Sequence, residues 1–426
     1  MATEIEVGPV KLALNDSNAA CPPEGPDRVL VTAGDRPSAS QDSLPVLVDP
    51  AVDHEQLAIA QRRLDVDEKH QRVLRFLQET GYQAAVLGRT DSLAWLTSGG
   101  DLGQSMCGEL GAIQIFVNSR ARVVICDNVQ SARVFEEELA GLGFQLKEWP
   151  WSGDSQSLLS DLIRGKRVAS DGFAPLVGLC DERVRLRELR YPYTVLERQR
   201  LRELGRTLSL MLEATCRNFE PGESEADLAG HLAHRLMREG VVPLDLRVAA
   251  DDRLSRFRQP RFKSIAIAQK ATVSAVGRRH GLCAAATRTV SFGEPQPEFR
   301  SAHALAAMVD ATCLYFSRPG ETVSGVFKRT QRIFEKYQHG DEWRLDYQGF
   351  LIGYADREQI FLPNSSLALL DGMPVCWCPS VDAARSQDTV VVDERGFEVV
   401  TEAQRWPKLD VQVKGFSVSR PDILVR

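Results

Sequence analysis

The stretch ATCRNFEPGES, residues 214–224, returns as ATCLYFSRPGET at residues 311–322. Ala-Thr-Cys recurs after 97 residues and Pro-Gly-Glu after 98, so one structural unit is written twice at almost constant spacing. Proline followed by glycine punctuates helices, and Ser224 and Thr322 stand where an N-cap hydroxyl accepts a backbone N–H. The pattern predicts a helix pair in each copy. β-rich segments follow both pairs, which implies two pseudo-symmetric αβ halves sharing one curved sheet.

Working outward, residues 186–219 read as one long amphipathic helical stretch, and a second helix follows Pro221-Gly222 to about residue 240. Upstream, a small α/β domain is expected over residues 51–185. It opens with a helix in which Leu57, Ala60, Leu64, Val73, Leu74 and Leu77 recur at near-helical spacing until Gly81. Strands follow at 82–88, 112–118, 122–128, 144–149 and 166–172, with a helix at 131–143. Residues 1–50, rich in Pro, Asp, Ser and Gly, read as a disordered tail. A larger domain spans 186–410 and a C-terminal segment 411–426, giving an α+β chain.

The 426 residues are 43% apolar and 26% charged with a net charge of -6, which excludes a fibrous or wholly disordered protein and argues against a nucleic-acid or anionic-membrane partner. The acidic start and the lack of an apolar run near 18 residues point to the cytoplasm. Nine cysteines, an odd number without a Cys-x-x-Cys pair, point away from disulfides and structural zinc.

Four segments carry a resemblance: PGESEADLAG at 221–230, HGLCAAATRTVSFG at 280–293, QGFLIGYADRE at 348–358, and DGMPVCWCPSV with QDTVVVDERGFEVVT at 371–381 and 387–401. From about residue 65 to 410 the chain resembles the creatinase/aminopeptidase P family, the pita-bread metallopeptidases that include the Xaa-Pro peptidases. The resemblance implies a small N-terminal creatinase-like domain, a C-terminal pita-bread domain and a homodimer. It also implies a site where two Asp, one His and two Glu hold two divalent metals around an activated water.

Those five ligand positions fall on Ser274, Ala285, Phe350, Cys378 and Gln387, with Tyr347 the nearest alternative to Phe350. Ser274 and Ala285 are equidistant from the centre of the Arg278-Arg279-His280-Gly281 turn, so a regular hairpin sets them directly opposite each other. A second family His, beside a Glu, falls on Arg357 in Arg357-Glu358. Gln259 lies near a further family His. No metal and no cofactor are therefore expected. His231 and His234, at i and i+3 on a helix, lack a carboxylate or Cys at metal-like spacing, and His303 and His339 read as surface residues.

Arg278, Arg279, Arg288 and Arg357 are candidates for binding an anionic group, either together or as partners of Asp356, Glu358 and Asp388 in the scaffold. Cys378, His280 and Glu358 are the candidate catalytic groups, with His280 the neighbour that could activate a Cys378 thiolate. The leading expectation is a metal-free pseudoenzyme that binds a peptide, protein or small anionic ligand, as non-catalytic chromatin- and ribosome-associated members of the fold do. The alternatives are a metal-independent hydrolase of C–N bonds, of creatinase type, and an Xaa-Pro aminopeptidase-like metallopeptidase with an unrecognised site.

Overall fold

A computed structural model describes residues 50–174 and 177–426; the expected tail lies, but for Pro50, outside them. The first helix runs over Pro50–Thr80. Strands β1 (Ala84–Arg89), β2 (Leu110–Val117), β3 (Arg122–Asp127), β4 (Gln145–Trp149), β5 (Val168–Ser170) and β6 (Leu179–Asp181) build a mixed sheet ordered β4-β3-β2-β1-β5-β6. β2 and β3 form the expected antiparallel hairpin. The helix expected at 131–143 is cut short: one α-turn at Ser131–Arg133 passes into a π-turn at Val134–Glu138. The Glu138 carbonyl accepts from Arg62 at 2.7 Å, and Gly141 and Gly143 take left-handed φ of 73° and 76°, which ends the helix.

The continuous helix expected over 186–219 is also broken. Arg183–Glu188 and Val195–Asn218 are separate helices, because Pro192 lacks an N–H and drives its predecessor out of the helical region. Thr194 and Glu197 then close a reciprocal capping box that restarts the chain as a helix.

The second sheet holds β7 (Val242–Ala250), β8 (Lys270–Arg279), β9 (Leu282–Ser291), β10 (Gly349–Leu351), β11 (Gln359–Ile360) and β12 (Pro374–Trp377). After the two-residue ladder of β13 (Ser380–Val381) and β14 (Ala384–Arg385) come β15 (Asp388–Asp393) and β16 (Gly396–Val399). The hairpin β17 (Lys408–Val413) and β18 (Phe416–Pro421) leads to β19 (Ile423–Val425). The order is β11-β10-β12-β15-β9-β8-β7, with β16 on β15 and β19 parallel to β9.

The repeated sequence becomes repeated structure. Helices Val195–Asn218 and Glu225–Arg238 pack Leu204, Leu208, Leu228 and Leu232 against Val248, Val273 and Ala284. Helices Pro297–Phe316 and Val323–Lys336 pack Ala306, Val309, Phe327 and Phe334 against Val375, Trp377 and Val390. Ser224 and Thr322 cap the second helix of each pair, accepting from the N–H of Asp227 and Gly325. Each also forms an isolated bridge, to Ala266 and Ala368 respectively. Gly222 and Gly320, at φ 97° and 86°, turn the chain in both copies.

Register corrects one expectation. His280 and Gly281, at φ 52° and 74°, make a two-residue turn, so Arg279 pairs with Leu282. Ser274 therefore faces Thr287, and Ala285 faces Val276. Ser274 and Ala285 share a face but sit diagonally, one pair apart.

The turn also yields a pH prediction. Partial burial, then the guanidiniums of Arg200, Arg279 and Arg62, push the His280 imidazole down to about 4. The unfolded chain, with an ordinary imidazole near 6.5, binds more protons between those values, so stability falls as pH drops from about 6.5 to about 4. His280 as a whole residue is largely open to solvent, and screening leaves an effect of about 1 kcal/mol. His280→Asn, which tolerates the left-handed turn, should lose less stability across this window, read as urea midpoints at pH 7 and pH 4.5.

Candidate functional site

The concave face of the second sheet carries an open pocket. Its floor comes from β8 (Thr272, Ser274, Val276), β10 (Phe350) and the residues after β12 (Cys378 and Gln387). Ala285 lies in the apolar cluster beneath, with Val276, Cys283, Phe350, Cys376 and Cys378. The five ligand positions read from the sequence thus converge on one place. Each has its own neighbour there. Ser274 Oγ lies 2.6 Å from Thr287 Oγ1, and Thr287 in turn donates to Gln387 Oε1 at 2.8 Å. Gln387 Nε2 donates to Cys376 Sγ at 3.4 Å. Cys378 Sγ faces the Tyr347 carbonyl at 3.5 Å, and burial pushes its thiol up to about 12.

The charged wall comes from β7 and two loops. Asp245 and Arg247 stand two apart on β7 and so share a face; Arg247 pairs directly with Ser274. Three guanidiniums meet the one Asp245 carboxylate: Arg247 at 2.7 Å, Arg261 at 3.3 Å and Arg357 at 3.3 Å. Arg357 also lies over the rings of Tyr347 and Phe350, 5.4 and 5.7 Å from their centroids. Its Nε is buried without an acceptor among the described residues. Behind this wall, Gln259 donates to both Asp346 oxygens at 2.7 and 2.8 Å and accepts from Tyr347 at 3.0 Å. Arg385 pairs with Asp346, and Arg258 with Glu342 at 2.9 Å.

Several expected site residues lie elsewhere. Of the four candidate arginines only Arg357 lines the pocket. Arg288 points to the opposite face of the sheet, fully buried between Asp388 at 3.0 Å and Glu213 at 3.5 Å, because residues 285 and 287 face the pocket and 288 must face away. Arg278 and Arg279 sit with His280 in a separate cleft formed with Thr90, Gly99, Asp101 and Tyr354. Glu358 is buried, accepts from the N–H groups of Tyr354 and Ala355 and pairs with Arg190 at 2.6 Å. Cys378, His280 and Glu358 therefore occupy three different environments and form no catalytic set.

His303 is not a surface residue: it is buried, with Nε2 3.1 Å from the Pro421 carbonyl. His231 contacts Glu223 on an exposed helix face. His339 has ligand-type neighbours that the sequence did not suggest, Glu342 and Asp382, their polar atoms within 4.8 Å of one another. The Glu342 carboxylate in that group is the partner of Arg258. Arg247, Asp245, Arg385 and Asp346 were missed as well. The alternation of Asp245 and Arg247 beside the Ser274 strand is the signal that could have found the first two.

Residues 199–394 match metallopeptidase family M24. An uncharacterized peptidase of Staphylococcus epidermidis is 26% identical over 134 residues, 30% of this chain and 37% of that protein, so the match spans little more than a third of that relative. Among solved structures, the Xaa-Pro dipeptidase from Bacillus anthracis superposes with a TM-score of 0.69 at 16% identity, covering 85% of this chain and all of the other. The N-terminal domain of FACT complex subunit SPT16 from chickpea gives 0.63 at 14% identity, covering 82% of this chain and 97% of that one. Residues 199–394 are thus similar in sequence to metallopeptidase family M24, and the two-sheet architecture is the fold of the solved Xaa-Pro dipeptidases.

Proposed function

We propose that the protein is a metal-free relative of the M24 metallopeptidases that binds a ligand through an anionic group in the concave pocket. The observation that carries this is the residue chemistry at the converging positions. Ser274 and Gln387 offer neutral oxygens already engaged with Thr287, Ala285 and Phe350 offer no donor, and the Cys378 thiol is held protonated by burial. Two divalent cations require anionic, bridging oxygen ligands, and this set does not fit them. The wall above has three guanidiniums around Asp245, with Asp356 3.6 Å from Arg357 as the further carboxylate, which leaves a positive charge in surplus for a carboxylate or phosphate. One solved relative is named as a domain of a complex subunit rather than as an enzyme, which accords with binding as the task of this fold here.

The test has two arms. Purified protein incubated with Mn²⁺, Co²⁺ and Zn²⁺ and desalted should retain essentially no metal by inductively coupled plasma mass spectrometry; about two per chain, the number a two-metal site holds, would return peptidase chemistry to first place. In thermal denaturation, citrate should raise the midpoint of the wild type, and Arg357→Met should abolish the shift.

A further inference from the structure

The pocket has a rim whose chemistry is distinct from its floor. Residues 253–270, RLSRFRQPRFKSIAIAQK, carry six cations and no carboxylate, in a chain whose net charge is -6. Several of these cations are committed: Arg253 pairs with Glu225, Arg258 with Glu342, and Arg261 shares Asp245. Arg256 and Lys263 are exposed and form no ion pair among the described residues. Beside them the apolar side chains Phe257, Phe262 and Ile265 are 45%, 41% and 48% exposed. Phe257 also lines the pocket, so rim and pocket are continuous.

The segment beyond Phe257 has no helix or strand of its own, yet its backbone is fixed. Lys263 N–H donates to the buried Glu225 carboxylate at 2.9 Å, and the Arg261 carbonyl accepts from Arg253 at 2.9 Å. The first N–H groups of helix Glu225–Arg238 donate to the Ile265 and Lys263 carbonyls, each at 3.0 Å. Exposed aromatic and cationic side chains held on a rigid backbone lose little entropy on binding, and apolar groups this open are stabilised when covered.

We infer that this rim and the anion-seeking pocket form one site for an acidic peptide segment that carries an aromatic or large apolar residue. Its carboxylates would meet Arg256, Arg261 and Lys263, its apolar side chain Phe257 and Phe262, and one carboxylate would reach Arg357. This rests on the pocket reading above and names the class of partner. A peptide fits better than a single-stranded nucleic acid, which needs a longer track of free cations along its backbone on a chain that is acidic as a whole.

The experiment is fluorescence anisotropy with the full chain and a labelled pool of 12-residue Asp/Glu-rich peptides, each with one Phe. The same pool with Gln and Asn for the acids, and (dT)12, are the comparisons. The acidic pool should bind at least 10-fold more tightly than the neutral one and lose affinity with salt. Arg256→Glu and Lys263→Glu, both at exposed positions, should each weaken it 5-fold or more, and Phe262→Ser should do so without altering the salt dependence. Equal binding of both pools, no binding of the acidic pool, or tighter binding of (dT)12 would each overturn the inference, the last in favour of nucleic acid. Citrate stabilisation should survive Arg256→Glu. Its absence from the wild type would sink the pocket reading, while peptide binding that depends on Arg256 would still stand for the rim.

Discussion

Arg288→Met should lower the folding stability by about 3–5 kcal/mol, the cost of stranding a buried charge. Arg288 is one link in a chain of five ionised side chains behind the second sheet, running Glu213, Arg288, Asp388, Arg420, Asp310. Its guanidinium donates to the carbonyls of Thr287 and Thr401, both at 2.9 Å, and to Asp388 at 3.0 Å, with Glu213 an ion-pair partner at 3.5 Å. Asp388 keeps Arg420 at 2.7 Å when Arg288 is removed. Glu213 keeps the N–H groups of Gln404 and Arg405, but its remaining cation is Arg217 at 3.7 Å. The loss therefore falls mainly on Glu213. Urea denaturation followed by tryptophan fluorescence measures it, and Arg288→Lys should fall between the two, because an ammonium keeps the charge and loses the planar fork. A cost below about 1 kcal/mol would mean that a methionine in this place offsets the ion pair by packing alone.

Lys69→Met should have an effect of the same order. Lys69 is wholly buried, 2.6 Å from Asp65 and 2.8 Å from Glu197, with Tyr354 Oη at 3.2 Å. Burial alone would raise the Asp65 carboxyl, but Lys69 and hydrogen bonds from Thr194 and Ser98 hold it below its usual value. Without the ammonium two carboxylates face each other without compensation, and about 3–5 kcal/mol is lost. The sign with pH follows. A carboxylate depressed in the folded state stabilises above its unfolded value near 3.9, and that contribution fades as pH falls through the folded value. The penalty for Lys69→Met should hence be full at pH 7 and shrink in acid, where Asp65 takes up a proton. A penalty independent of pH would assign the loss to packing instead.

The fold was legible because the helix pairing follows from local signals that repeat. Pro221-Gly222 and Pro319-Gly320, each before a hydroxyl cap, specify the same turn twice, and no distant residue has to be known to read them. The break at Pro192 was also local and was overridden by the amphipathic pattern on either side of it. The site was legible in part. Ser274, Phe350, Cys378 and Gln387 line one pocket, since register and pleat carry them there. Arg288 was misplaced although strand parity from Ala285 was enough to exclude it. The pairings of Arg357 with Asp245 and Arg385 with Asp346 span 112 and 39 residues; no periodicity encodes them, and they exist only once the sheet has curved.

Arg357 and Glu358 are neighbours in the chain with opposite allegiances. The first looks into the pocket; the second is held by Arg190, which also grips Asp91 at 3.1 Å at the start of the helix Thr90–Leu96. The pocket is thereby wired to the small domain through one peptide bond and two ion pairs. Were a pull on Arg357 to move Glu358, Asp91 would feel it through Arg190, and by thermodynamic reciprocity the coupling would be equal in the other direction.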